Sequence, residues 1–263
     1  ASVSDPGLVS SGQVVLYPRD INLEGYKEVI NYEPIWTGYR NTIIYTICYT
    51  CLSVMISLMS GYAFSRNNLP GKKAILGFFL FTMFFNGGLI PTYLIVQDLG
   101  LYGSPLIVIL LGAVNVNNII ISRTFIKSTV PEELFEAAAL DGCSHAKTFF
   151  RVVFPVSQSL IAVLVLFAAV SQWNSWYNAM IYLNDETQMP LQMILRDLIV
   201  NQSAMAMASD SAASSGGDVA AAVLLVESMR YAVIIVSSLP LLCVYPFVQK
   251  YFVKGIMIGS VKG

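Results

Sequence analysis

The sequence predicts an all-α membrane protein that crosses the bilayer five times. Two observations carry this. The first is composition: of 263 residues, 56% are hydrophobic and 12% charged, and the mean hydropathy is +0.64. A soluble domain carries about 25% charged residues, so an ordinary water-soluble enzyme is excluded. The second is that five stretches meet the roughly 20 consecutive apolar helical residues a bilayer core requires. The same numbers exclude a disordered chain, which combines low hydrophobicity with high net charge. Fifteen basic and sixteen acidic residues give a net charge of −1, so no basic excess points to nucleic acid. Four cysteines are too few for a disulfide scaffold.

The five stretches run from Asn41 to Ser65, Ala74 to Val96, Ser104 to Ile126, Val152 to Tyr177 and Tyr231 to Tyr251. None contains Asp or Glu. Apart from Arg123 and Lys250 near two of their ends, their polar residues are uncharged and include Asn86, Asn115, Asn117, Asn118, Gln158, Gln172 and Asn174. Pro91, Pro155, Pro240 and Pro246 are tolerable, because neighbouring groups in a membrane bundle can satisfy the freed backbone. Residues 1–40 form an arm before the first stretch, 41–251 the membrane region, and 252–263 a tail.

Orientation follows from lysine and arginine. Ten of the fifteen basic residues fall on one side: Arg66, Lys72 and Lys73, then Arg123, Lys127, Lys147 and Arg151, then Lys250, Lys254 and Lys262. That side is expected to be cytoplasmic, and it holds the tail and the connection 127–151. Five spans then place the arm and the connection 184–229 outside. No signal peptide is visible in residues 1–40, so an earlier span is expected in the parent protein, making six. A five-span protein with a translocated arm is the alternative. The outer connection is rich in Ala, Ser and Gly from Gln202 to Ala222. Gln192–Val200 is helix-compatible, and Asp218–Met229 reads as a lead into the last span.

Ser53, Ser57 and Gly61 form a row of small residues in the first span, of the kind that lets membrane helices approach closely. Cys48 and Cys51 have CxxC spacing but lie mid-span without a second pair, and His145 is the single histidine. A metal site is therefore not expected.

The connection 127–151 carries the most specific signal. Thr129 and Glu132 have capping-box spacing with Pro131 between them. Glu132, Glu133 and Glu136 suit a helix N-terminus, Ala137, Ala138 and Ala139 favour helix, and Gly142 permits a tight exit. A short helix from about Val130 to Asp141 is expected, with a second helix rising into the next span. Glu132, Glu133, Glu136 and Asp141 make it acidic. An interfacial helix is normally basic, since the cytoplasmic leaflet is anionic. Leu134, Phe135 and Leu140 still need cover. A groove on a soluble partner with a basic residue for Glu136 meets both needs; packing on the protein's own helix ends is the alternative.

Glu136-Ala137-Ala138, then Gly142, then Val152-x-Phe154-Pro155 resembles the EAA motif of binding-protein-dependent ABC importer permeases. Val152 and Phe154 stand where Ile and Leu are usual. Asp141-Gly142 and either Phe149 or Phe150 resemble the carbohydrate-importer form. So do Gly88-Leu-Ile-Pro91-Thr-Tyr-Leu, Leu99-Gly100-Leu101-Tyr102 and Trp173-Asn174-x-Trp176. The resemblance runs from about Val15 to Lys254. It is to the smaller permease of maltose-type importers, in the branch with polysaccharide and alginate importers.

The resemblance implies a type I ABC importer permease fold with six spans and a cytoplasmic coupling helix, in the cell (inner) membrane. It implies pairing with a second, similar permease. Two cytoplasmic ATPase subunits, which bind ATP and Mg, would each receive one coupling helix. An extracytoplasmic solute-binding protein would deliver a sugar and carry much of the selectivity. Glu132, Glu133, Glu136, Ala137, Ala138, Asp141, Gly142 and Pro155 would then form the ATPase-coupling set, with no catalytic residue and no cofactor on this chain.

The residues themselves fit a transport subunit without chemistry. Pro70-Gly71-Lys72-Lys73 lacks the first glycine and the hydroxyl of a P-loop, so ATP would be hydrolysed elsewhere. A proton-driven carrier keeps ionisable residues inside its spans, and none lies deep in these. An intramembrane hydrolase needs paired Asp, Ser with a base, or HExxH, and none is visible. Asn86, Asn115, Asn117, Asn118, Gln172 and Asn174 are the candidates for a sugar path. The same residue types also bond neighbouring helices. Trp173 and Trp176 sit where tryptophan anchors a membrane interface.

Overall fold

The computed structural model describes residues 2–10, 12–13, 17, 20–200 and 231–243. Its regular structure is helical; one isolated antiparallel bridge joins Ser4 and Ile21. The arm forms α1 (Pro6–Ser10) and α2 (Glu24–Asn31). Then α3 runs unbroken from Glu33 to Ser65. Its proline, Pro34, stands in the first turn, where a missing N–H costs nothing. At 1.5 Å per residue its 33 residues extend about 50 Å, more than the ~30 Å of a bilayer core. The helix thus begins eight residues before the expected Asn41.

The other apolar stretches are broken. The second divides into α4 (Lys72–Phe84) and α5 (Leu89–Asp98), bent by 114°. The break is Asn86-Gly87-Gly88. The Asn86 Oδ1 accepts from the Gly88 N–H at 2.9 Å, and Gly88 has φ of 90°. The third, expected as one span from Ser104 to Ile126, is corrected to two helices: α6 (Pro105–Leu110) and α7 (Val116–Thr129). Leu111 is extended and Gly112 has φ of 86°, a conformation that side chains resist. Asn115 then caps α7, its side chain accepting from the Asn118 N–H at 3.1 Å.

The short helix of the acidic connection is α8 (Glu132–Leu140), followed by α9 (His145–Thr148). Phe149–Val153 is a π-turn, then come α10 (Phe154–Val156) and α11 (Gln158–Trp173). His145–Val156 is bent by 85° against α11. Pro155 lacks the N–H to continue the ladder, and Ser157 leaves helical geometry. The fourth stretch thus ends at Trp173 rather than Tyr177. Next come α12 (Tyr177–Tyr182), a 3₁₀ turn at Glu186–Gln188, α13 (residues 191–200) and α14 (Tyr231–Cys243).

By length and composition, α3 alone among the described residues suffices to cross a bilayer. The α4–α5 pair and the His145–Trp173 pair also qualify if each counts as one broken span. Among the described residues the membrane-crossing helices thus number one, or up to three with the broken pairs. Gln202–Ala222, Asp218–Met229, the end of the fifth stretch and the tail lie outside the described residues.

The chain divides into two compact units, and α3 changes unit at Ile43–Ile44. In the unit holding residues up to Ile43 and those from Asn174 on, α13 lies against the start of α3. The Leu191 N–H donates to Thr42 Oγ1 at 2.8 Å, and Asn41 Nδ2 donates to the Thr187 and Met189 carbonyls. Tyr39 donates to the Val236 carbonyl of α14. At the 3₁₀ turn, the Asp185 carboxyl is held below the usual carboxylate range by hydrogen bonds from the Thr187 hydroxyl and N–H.

In the unit spanning Ile44–Trp173, one core joins four helices and the π-turn. It comprises Val54, Leu58 and Tyr62 of α3, Ile126 beside Val130, Phe135 of α8, Phe149 and Val153, and Leu160 and Leu164 of α11. The small-residue row is buried at Ser53 and Ser57. At Gly61 a Cβ would lie 2.4 Å from the Ser122 Cβ and 2.9 Å from the Arg123 nitrogen. Only glycine lets α3 approach α7 this closely.

Candidate functional site

Helix α8 starts without the expected capping box. Thr129 is the last residue of α7, and Pro131 holds the N-cap position with no side-chain bond. Glu132 and Glu133 instead meet the positive helix end through space. The other end is a Schellman turn. The Cys143 N–H donates to the Ala138 carbonyl at 2.9 Å and the Gly142 N–H to the Ala139 carbonyl at 3.0 Å. Gly142 has φ of 69°, and a Cβ there would meet nothing within 4 Å. Its backbone angle, not crowding, calls for glycine.

The two faces of α8 differ. Phe135 and Ala138 are buried, each 6% exposed. The Phe135 ring lies 6.0 Å from that of Tyr62, which lies 5.8 Å from Phe149. The Arg66 guanidinium sits 4.1 Å over Phe135, and its Nη1 is 3.2 Å from Glu132 Oε1. Burying a phenylalanine contributes about 1.5–3 kcal/mol, whereas a half-exposed ion pair contributes about 0–1 kcal/mol. Phe135 is therefore the anchor. On the other side Glu133, Glu136, Ala137, Asp141 and Gly142 are exposed, Leu134 is 42% exposed and Leu140 is 90% exposed. Of the three apolar residues expected to need cover, Phe135 has it from its own chain, while Leu134 and Leu140 are exposed. Pro155 is exposed just after the π-turn.

Among the polar span residues, three serve the backbone. Asn86 and Asn115 bind the turns described above. Gln172 is buried, and its Nε2 donates to the Val108 carbonyl at 3.3 Å. That carbonyl belongs to the last turn of α6, which has no intrahelical partner for it. Asn117 and Asn174 are exposed and Asn118 is half-buried. Cys48 and Cys51 are exposed thiols, and no group of three metal-ligating side chains occurs among the described residues.

Residues 35–258 match the family model for the inner membrane component of binding-protein-dependent transport systems. The chain belongs to this permease family. It is 36% identical over 255 residues to the polygalacturonan/rhamnogalacturonan transport system permease protein YtcP of Bacillus subtilis, covering 97% of this chain and 87% of that protein. It is 37% identical over 248 residues to LplC of the same organism, covering 94% and 81%. A crystal structure of a bacterial ABC transporter involved in import of the acidic polysaccharide alginate contains a similar chain. The TM-score is 0.83 and the identity 32%, over 95% of this chain and 87% of that one.

As a permease, the chain is a membrane-embedded transporter component rather than an enzyme. Its fold is similar to that of the alginate-importer chain. Within this permease, sequence reasoning passed over Arg66, counting it only as a marker of orientation. The available signal was a cation directly after a span, with an acidic first turn on a later helix of the same side.

Proposed function

We propose that this permease forms half of the translocation path of an ATP-driven importer for a sugar oligomer. A second, similar permease supplies the other half. Two cytoplasmic ATPase subunits bind ATP and Mg below, and an extracytoplasmic binding protein delivers the sugar. The exposed face of α8, with Glu133, Glu136, Ala137, Asp141 and the nearly bare Leu140, is the face that docks in an ATPase groove. The observation that carries this reading is the contrast within α8: one face is anchored by Phe135 and Ala138, while the acidic face has no cover.

Family membership supports the importer class, and the names of the relatives support the sugar class. YtcP is named for galacturonan polymers and the structural neighbour for alginate, both polyuronates. Oligogalacturonides and alginate oligosaccharides are therefore the first substrates to try. On this reading the connection 184–229, long and rich in small residues by sequence, reaches toward the docked binding protein.

The test is reconstitution of the permease pair with its ATPase and binding protein in liposomes. ATP-dependent uptake of a labelled oligouronide, requiring the binding protein, is expected. Uptake driven by an ion gradient without ATP would contradict the proposal.

A further inference from the structure

The acidic helix is joined to α3 by more than the chain between them, and Arg66 is the joint. Arg66 directly follows the last residue of α3. Its backbone is tied down, since Lys72 Nζ donates to the Arg66 carbonyl at 2.8 Å. Its side chain is mostly buried, 20% exposed, and extends to α8 rather than into water. There its guanidinium carbon lies over the Phe135 ring and it faces Glu132. Nη1 is buried with no partner in hydrogen-bond geometry, so the Glu132 carboxylate acts on it as a charge rather than as an aligned acceptor. A planar guanidinium can cover a ring while its donors meet a carboxylate at the edge; an ammonium is a compact point charge without that plane.

The covalent route from α8 toward its following span is poorly suited to carry a push. After Gly142 it passes through a π-turn and the Pro155–Ser157 break, where the helices bend by 85°. The route through Arg66 and the Phe135–Tyr62 ring pair ends on α3, whose helix is unbroken up to Ser65.

We propose that Arg66 is a positioning residue that latches α8 to the end of α3, so that displacement of α8 moves α3. This rests on the reading of α8 as the ATPase-docking helix and goes beyond it, by naming which span receives the motion and through which side chain. The latch makes α3 and α8 one body through the ATP cycle.

The test uses the full complex in nanodiscs, with the four cysteines replaced by serine. Spin labels stand at Met59 on α3 and Ala139 on α8, both exposed positions. Distances are measured without nucleotide and after vanadate trapping. Import of an oligouronide per ATP hydrolysed is measured in parallel. With Arg66 intact, the distance distribution stays narrow and unchanged between the two states. In Arg66→Gln it broadens or shifts on trapping, and import per ATP falls about threefold to tenfold, the scale of a partly exposed ion pair together with a cation–π contact. The swap Arg66→Glu with Glu132→Arg restores part of both, which a residue needed only for folding would not allow. Arg66→Lys, which keeps charge but not stacking, lies between, and it carries the test should the Gln variant not assemble. Distances in Arg66→Gln that match the unaltered chain in both states overturn the latch. A complex without ATP-driven import overturns the functional reading instead.

Discussion

The acidic helix and the polar positions of the spans are both polar features in an apolar chain, yet they are used in opposite ways. In α8 the polar groups are left outside, and the helix is held by Phe135 and Ala138. In the spans, Asn86, Asn115 and Gln172 are turned onto backbone groups that broken helices release. The difference teaches that a polar side chain near a helix break is committed first to the backbone. An unsatisfied carbonyl or N–H in an apolar surround costs several kcal/mol, more than most ligand contacts return. A polar side chain outside the apolar zone carries no such debt and is free for a partner.

That contrast can be broken at several points. The largest effect is expected where the scaffold beneath both regions is tightest. Gly61→Leu places side-chain atoms where even a Cβ would lie 2.4 Å from Ser122. Overpacking costs about 1–3 kcal/mol and more when backbone must move. The amount of assembled complex recovered from membranes should fall sharply, whereas Gly77→Leu, with open space at its Cβ, should be tolerated.

Gly142→Val comes next. Its φ of 69° costs an L-residue about 1–2 kcal/mol, and a β-branched residue more. Insertion should be normal, because Gly142 lies outside every span, but import should drop about tenfold or more. Gly142→Asn should retain most of it, since asparagine tolerates left-handed geometry. Equal loss in both would show that the turn geometry is not what matters.

The smallest effect separates backbone service from sugar contact. Gln172→Leu leaves the Val108 carbonyl without its donor, at a cost of about 1–3 kcal/mol. Thermal stability of the complex should drop while the ratio of import rates for oligogalacturonide and alginate oligosaccharide stays constant. A changed ratio with unchanged stability would place Gln172 in the path.

Much of this was legible from residue types. The apolar composition, the Ser53–Ser57–Gly61 row and the glycine turn at 142 each follow from local chemistry. The breaks were less legible, because hydropathy averages over a window and does not see dihedral angles. Asn86-Gly87-Gly88 was a visible turn signal inside a stretch read as one span. Gly112 was another, and Asn115, taken as a candidate for the path, is a helix cap. Thr129 fits a capping box by spacing, but Pro131 intervenes: the residue before a proline is driven from helical geometry, so Val130 is extended and Thr129 closes α7. Arg66 escaped notice because its partners Glu132 and Phe135 are distant in sequence, and no local pattern pairs them.

The central claim is that the bare acidic face of α8 is the docking face for an ATPase. Glu136→Lys tests it most directly, because Glu136 is exposed and lies outside the Arg66 contact. Binding of the purified ATPase to the reconstituted permease pair should weaken at least tenfold, the scale of one charged hydrogen bond at about 1.5–3 kcal/mol. ATP-driven import should be lost with it, while membrane insertion is normal. Unchanged ATPase affinity together with normal import in Glu136→Lys would contradict the account.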